Sequence, residues 1–136
     1  MIYFAVIDTN VLISGMLKSP SIPNDIIKKC LAGNIIPLIN EKIIAEYREV
    51  TARPKFHFPL SDVDTLLNSL ILRGIWQNSE STNVELPDPK DLIFYETLLT
   101  ARKKFPAYLV TGNMKHFPIA DFIVTPHTML ELLKAQ

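Results

Sequence analysis

Short apolar runs alternate along this chain with longer stretches of helical periodicity. Residues 2–7 (IYFAVI), 35–39 (IIPLI), 108–111 (YLVT) and 122–124 (FIV) are apolar without strict alternation, and a weaker fifth run lies at 75–77. Continuous apolar strands of this length are the pattern of a sheet covered on both faces. Between them the spacing predicts helices over 10–17, 24–32, 41–52, 62–73, 90–104 and 128–134. Asn40 is placed to cap the third helix and Ser61 the fourth, while Thr125 followed by Pro126 opens the last. Pro37 lacks one ladder donor, which predicts an irregularity or a free edge in the second strand. Strands that alternate with helices imply right-handed crossovers and parallel pairing. The predicted fold is α/β, a three-layer α/β/α sandwich around a central parallel sheet of four or five strands.

Composition narrows the setting. A chain of 136 residues supports one domain over 1–136, with a single core and no linker, repeat or low-complexity tract to divide it. Fourteen basic and fourteen acidic residues cancel, so no global field draws the chain to nucleic acid or to an anionic membrane. Any polyanion must be held by local cations. The lone cysteine, Cys30, excludes an internal disulfide and fits a reducing compartment; in DIIKKCLAG it reads as a buried structural thiol. The first apolar run spans six residues, has no basic flank and meets Asp8, which suits neither a signal peptide nor a membrane span. The expected address is the cytoplasm, with no membrane partner.

In open parallel sheets the binding crevice lies beyond the carboxyl ends of the strands. That rule selects Asp8, which ends the first strand in VIDTNVLIS, and Gly112-Asn113, which follow AYLVT. Each has a plainer reading. Asp8 suits a helix N-cap, accepting from the backbone N–H of Asn10 or Val11, and Thr9 and Asn10 suit a turn. Gly112 allows an unusual turn conformation, and Gly-Asn is a common turn pair. Glu46 in EKIIAEYREV falls on the shoulder of a stripe made by Ile43, Tyr47 and Val50, where a lone glutamate usually reaches water. Asp88 and Asp91 in PDPKD suit an N-cap and a first-turn acid around Pro89. Yet the helix behind them, LIFYETLL, is apolar over most of its surface, which places its start near the sheet's end.

The individual signals are weak and their convergence is what counts. Asp8, Asp91 and Asn113 arrive at one sheet edge by independent arguments. With Glu46 among them, three carboxylates would repel and raise one another's pKa values unless a cation joined them. A hard divalent ion with oxygen ligands, Mg²⁺ or Mn²⁺, resolves that conflict. The histidines at 57, 116 and 127 show no metal-ligand spacing, which disfavours zinc.

Four segments in this order, VIDTNVLIS, EKIIAEYREVTARPKF, LPDPKDLIFYETLLTA and YLVTGNMKHFP, resemble PIN-domain ribonucleases, in the branch of toxins from prokaryotic toxin–antitoxin systems. The resemblance runs essentially from end to end. It implies a metal-dependent endonuclease that cuts single-stranded or loop RNA, with one or two Mg²⁺ or Mn²⁺ ions. The acidic site maps onto Asp8, Glu46 and Asp91 as metal ligands, with Asp88 as an accessory acid. The fourth polar position falls on Asn113, where many relatives carry aspartate, and Thr9, Asn10 and Thr111 support the site. The resemblance also implies a cognate antitoxin, and relatives often form dimers.

RNA contacts are then expected from Arg53, Lys55, Lys90, Lys115 and His116, with Phe56 and Phe58 interleaved among the first of these. The plainer reading of the two phenylalanines is a core closed under a loop, and Arg102-Lys103-Lys104 reads as a solvated helix end. Two rival functions stand beside the nuclease. An aspartate-nucleophile phosphatase would want a second acid two residues after Asp8, where Asn10 stands. A catalytically weak PIN-like module that binds RNA or an antitoxin would follow from the missing charge at position 113.

Overall fold

The computed structural model describes residues 2–135. Five strands, β1 (Tyr3–Ile7), β2 (Ile35–Ile39), β3 (Ile75–Trp76), β4 (Ala107–Val110) and β5 (Ile123–Val124), form one parallel sheet in the order β3-β2-β1-β4-β5. Six helices cover it: α1 (Thr9–Leu17), α2 (Ile22–Ala32), α3 (Glu41–Thr51), α4 (Leu60–Arg73), α5 (Leu92–Arg102) and α6 (Pro126–Lys134). The result is the predicted three-layer α/β/α sandwich with five strands. Ala5, Val6, Leu38, Leu109 and Val110 at its centre are fully buried.

The strand order fixes where a ligand can enter. From β1 the chain steps outward to β2 and β3, then returns to add β4 and β5 on the other side. The crossovers diverge between β1 and β4, and this switch point opens a crevice at their carboxyl ends. Asp8 follows β1 there, and Thr111 to Asn113 follow β4.

Several boundaries differ from expectation for local reasons. The helix predicted over 90–104 is a 3₁₀ turn, Pro89–Asp91, followed by α5, because Asp88 caps the turn by accepting from the Lys90 N–H at 3.0 Å. α4 starts at Leu60 straight after Pro59, so Ser61 lies inside the helix and is not its cap. Asn40 and Thr125 do cap their helices, accepting from the N–H groups of Ile43 and Thr128. The weaker run expected at 75–77 does form a strand, β3, but an uncovered one: Ile75 and Trp76 are 40% and 55% exposed. Pairing with β3 begins only at Leu38, which leaves Pro37 flanked by a strand on the β1 side alone. The end of α4 packs against that proline so closely that a β-carbon on Gly74 would lie 2.6 Å from the Pro37 carbonyl oxygen.

One buried side chain ties the acid-bearing elements together. Tyr47, next to Glu46 on α3, donates its hydroxyl to the Ile7 carbonyl at 2.6 Å, one residue before Asp8. Its ring stacks on Phe94 of α5, three residues after Asp91, with centroids 6.1 Å apart. Tyr47→Phe leaves a buried carbonyl without that donor, which costs about 1–3 kcal/mol. A lower melting temperature in chemical or thermal unfolding is the expected result; unchanged stability would mean that this bond does not hold α3 to β1.

Candidate active site

Asp8, Glu46, Asp88, Asp91 and Asn113 all line one cavity of about 350 Å³ at the switch point, together with Thr9, Asn10, Arg53, Phe56, Lys90 and His116. The sequence-predicted acids therefore meet, although they come from β1, α3 and the turn before α5. Of the expected RNA contacts, Arg53, Lys90 and His116 line the cavity and Lys55 and Lys115 do not.

Asp8 is 3% exposed. Its carboxylate is not the predicted helix cap. The Val11 N–H is taken by the Asp8 backbone carbonyl at 3.0 Å, and the side chain turns across the sheet instead. Its Oδ2 accepts from the Thr111 hydroxyl at 2.7 Å and from the Asn10 amide at 3.2 Å. Asn10 in turn accepts from the Gly112 N–H at 3.1 Å, and Thr111 accepts from the Asn113 N–H at 2.9 Å. Asn10 and Thr111 thus stitch the segments after β1 and β4 together, whereas Thr9 lines the cavity with its hydroxyl unbonded. Gly112 keeps an ordinary backbone conformation; among the described residues Gly33, at the end of α2, is the glycine with positive φ.

Burial raises the Asp8 pKa from 3.8 to about 6, against the pull of the Thr111 hydrogen bond and with help from the Asp91 charge. Glu46 is also raised, first by burial and then by Glu49, while Lys90 and Arg53 oppose the shift. Asp91 is raised by burial, which outweighs its bond to His116. The His116 Nδ1 lies 2.9 Å from Asp91 Oδ2. Three carboxylates of one cavity are thus held in a field that disfavours their charged forms.

A divalent cation fits this donor set. Carboxylate oxygens are hard ligands, and a cation among them would offset the cost that burial imposes. The tightest group is Asp88, Asp91 and His116, whose ligand atoms lie within 4.8 Å of one another. Asp8 and Glu46 face the same cavity outside that group. The Thr9 hydroxyl is, among the described residues, the buried side-chain oxygen left without a hydrogen-bond partner. His116 was legible only as a basic neighbour of Asn113. Its approach to Asp91 joins residues 25 positions apart, and no local spacing announces it.

Other chemistry-bearing residues stay apart from the site. Cys30 is buried on α2 with its thiol pKa pushed up to about 12, which fits a structural role and not a nucleophile. At the end of α5, Arg102 covers the Phe122 ring and Lys103 pairs with Glu80. Among the described residues no helix is long and apolar enough to cross a membrane.

A family model described as "PIN domain" matches residues 5–115. Searches of curated proteins and of solved structures returned no match.

Proposed function

The chain belongs to the PIN-domain family, whose members are typically metal-dependent nucleases, and from that premise we propose that it is an endoribonuclease dependent on Mg²⁺ or Mn²⁺. The observation that carries this reading is the meeting of Asp8, Glu46, Asp88 and Asp91 in one cavity at the sheet's switch point. The whole chain, 1–136, acts in this reading as one PIN-like domain.

Asp8, Glu46 and Asp91 are the proposed metal ligands, with Asp88 as accessory acid and Asn113 as the fourth polar group. One or two bound ions would supply a water of lowered pKa and neutralise charge on the phosphodiester as it is hydrolysed. The chain's own residues do the rest. Thr111 and Asn10 fix the rotamer of Asp8, and Tyr47 fixes the distance of α3 from β1. Arg53 and Lys90 bring positive charge to a cavity that also holds four carboxylates and hold the RNA backbone near them. His116 orients Asp91.

Metal dependence separates this reading from the binding module favoured by the amide at position 113. A nuclease cleaves RNA with Mn²⁺ and stops in chelator, whereas a binder holds RNA intact in both. Asn113→Asp tests the missing charge. Added negative charge at the cavity wall is expected to lower the metal concentration for half-maximal cleavage by roughly tenfold, the order by which ligand charge tunes divalent affinity. An unchanged or higher requirement would mean that Asn113 does not limit ion binding.

The biological role we propose is the toxin of a type II toxin–antitoxin system acting in the cytoplasm, with a homodimer as its assembly. The cognate antitoxin covers the cavity, supplying a cation to the acids in place of metal. Expression of the chain should then arrest bacterial growth, co-expression of the neighbouring small gene should restore it, and Asp8→Asn should be harmless. Arrest that persists with Asp8→Asn would remove the link between toxicity and this site.

A further inference from the structure

Two phenylalanines two positions apart are sent to different places. Phe58 packs against the core, while Phe56 lines the acidic cavity. The backbone accounts for the split. Pro54 opens a 3₁₀ turn, Pro54–Phe56, and His57 ends it in the left-handed region at φ 55°, donating its N–H to the Pro54 carbonyl at 3.2 Å. A residue with a β-carbon adopts that conformation only when its surroundings hold it there. The turn leaves the two rings parallel, with centroids 5.5 Å apart and planes 14° from each other. Phe58, seated on the core, therefore backs Phe56 and keeps its ring at the cavity wall.

The ring is not sealed by apolar packing. The Lys55 ammonium lies 5.1 Å from its centroid, so a polar group already reaches its π-system. Arg53 and Lys90 line the same cavity, and among the described residues neither is ion-paired. An anchored aromatic ring with unpaired cations beside it is the arrangement that holds a nucleotide by its base face and its phosphates.

We infer that Phe56 is the stacking platform for one unpaired nucleobase of the substrate, with Arg53 and Lys90 on the adjoining phosphates. The platform rests on the reading of the cavity as an RNA-cleaving site, and it gives the single-strand preference that the resemblance implies a physical basis in one residue of this chain. A base inside a duplex has both faces covered by its neighbours, so it has none to offer Phe56. The subsite therefore favours single strands and loops, and lysine at position 55 shifts from the ring to a phosphate when a base arrives.

The test compares the affinity of a short fluorescent single-stranded RNA with that of the same strand annealed to its complement. Anisotropy is read in Ca²⁺, which takes oxygen ligands in looser geometry, and the strand's integrity is checked on a gel. Phe56→Leu keeps an apolar side chain against Phe58 but removes the π-face; Phe56→Tyr keeps the ring. The expected result is about a tenfold loss of single-strand affinity in Phe56→Leu, recovery in Phe56→Tyr, and little change for the duplex. Thermal melts establish that both variants fold. Equal binding by Phe56→Leu, equal losses for single strand and duplex, or no single-strand binding by the unmodified protein would overturn the inference. Cleavage by the unmodified protein in Mn²⁺ is scored separately. If it is absent the nuclease reading fails, whereas intact cleavage with an indifferent Phe56 sinks the platform alone.

Discussion

Asp8→Asn is expected to eliminate metal-dependent RNA cleavage and, at the same time, to raise the melting temperature of the metal-free protein. Both effects follow from one carboxylate. As a proposed ligand it should matter more than the outer residues of a metal site, whose loss alone costs about 10–100-fold; a fall in kcat/KM of more than about 100-fold is therefore expected. The stability effect has the opposite sign because Asp8 is buried and disfavoured as an anion. A pKa held at about 6 against 3.8 corresponds, at about 1.4 kcal/mol per tenfold, to ~3 kcal/mol that ionised Asp8 costs the folded chain. Asparagine keeps an oxygen for the Thr111 hydroxyl and carries no charge. A gain of several degrees with loss of activity is the trade expected where function demands a destabilised site. Cleavage that survives the substitution would remove Asp8 from the chemistry, and a fall in melting temperature would show that its charge does not destabilise the fold.

A second large effect is a pH dependence of stability that a divalent ion reverses. At a pH below 3.8 Asp8 is neutral in both the folded and the unfolded chain, and the stabilising preference of the folded state for its proton is fully present. As pH rises the unfolded chain releases that proton first, so stability falls, and the loss is complete once pH passes about 6. Glu46 and Asp91 are raised in the same direction and add to the slope. The metal-free protein should thus lose ~3 kcal/mol from Asp8 alone between about pH 4 and about pH 7. Saturating Mn²⁺ or Mg²⁺ competes with those protons and stabilises the folded state by about 2.7 kcal/mol at a hundredfold excess over its dissociation constant. The gain should be large near neutrality and small in acid. Thermal melts across pH, with and without metal, give the answer. A metal-free profile that rises with pH, or an ion effect of equal size at both ends, would contradict the assigned burial of these acids. Asp8→Asn should flatten the metal-free slope.

These effects depend on residues whose placement was legible to very different degrees. Glu46 was placed by counting around one helix: Ile43, Tyr47 and Val50 are buried, as the stripe predicts, and Glu46 lies half-buried at its shoulder. Asp88 was placed by the preference of proline for the first position of a helical turn, and it caps that turn. Ser61 failed as a cap because α4 already begins at Leu60, with Pro59 in the capping position, and no sequence rule ranks one start signal over another when both are present.

Asp8 shows where local reasoning stops. A strand ending in aspartate before a helix predicts a cap, and the position is right, but the carboxylate has a better partner in the Thr111 hydroxyl, 103 residues away. The same holds for Asp91 with His116 and for Asn10 with Gly112. Phe56 and Phe58 share their sequence neighbours, yet Phe58 packs against the core while Phe56 lines the cavity, with a left-handed residue between them that no local pattern announces.

The sequence by itself determined the alternation of strands and helices, the parallel sheet that this implies, and the set of acids that fall at strand ends and helix starts. Periodicity and capping act over a few residues, so they leave their mark in the local pattern. Which of those acids share a cavity, which hydroxyl holds Asp8 and which histidine meets Asp91 were decided by the tertiary structure. Strand order and helix packing bring together groups whose separation along the chain carries no energy of its own until the sheet has formed.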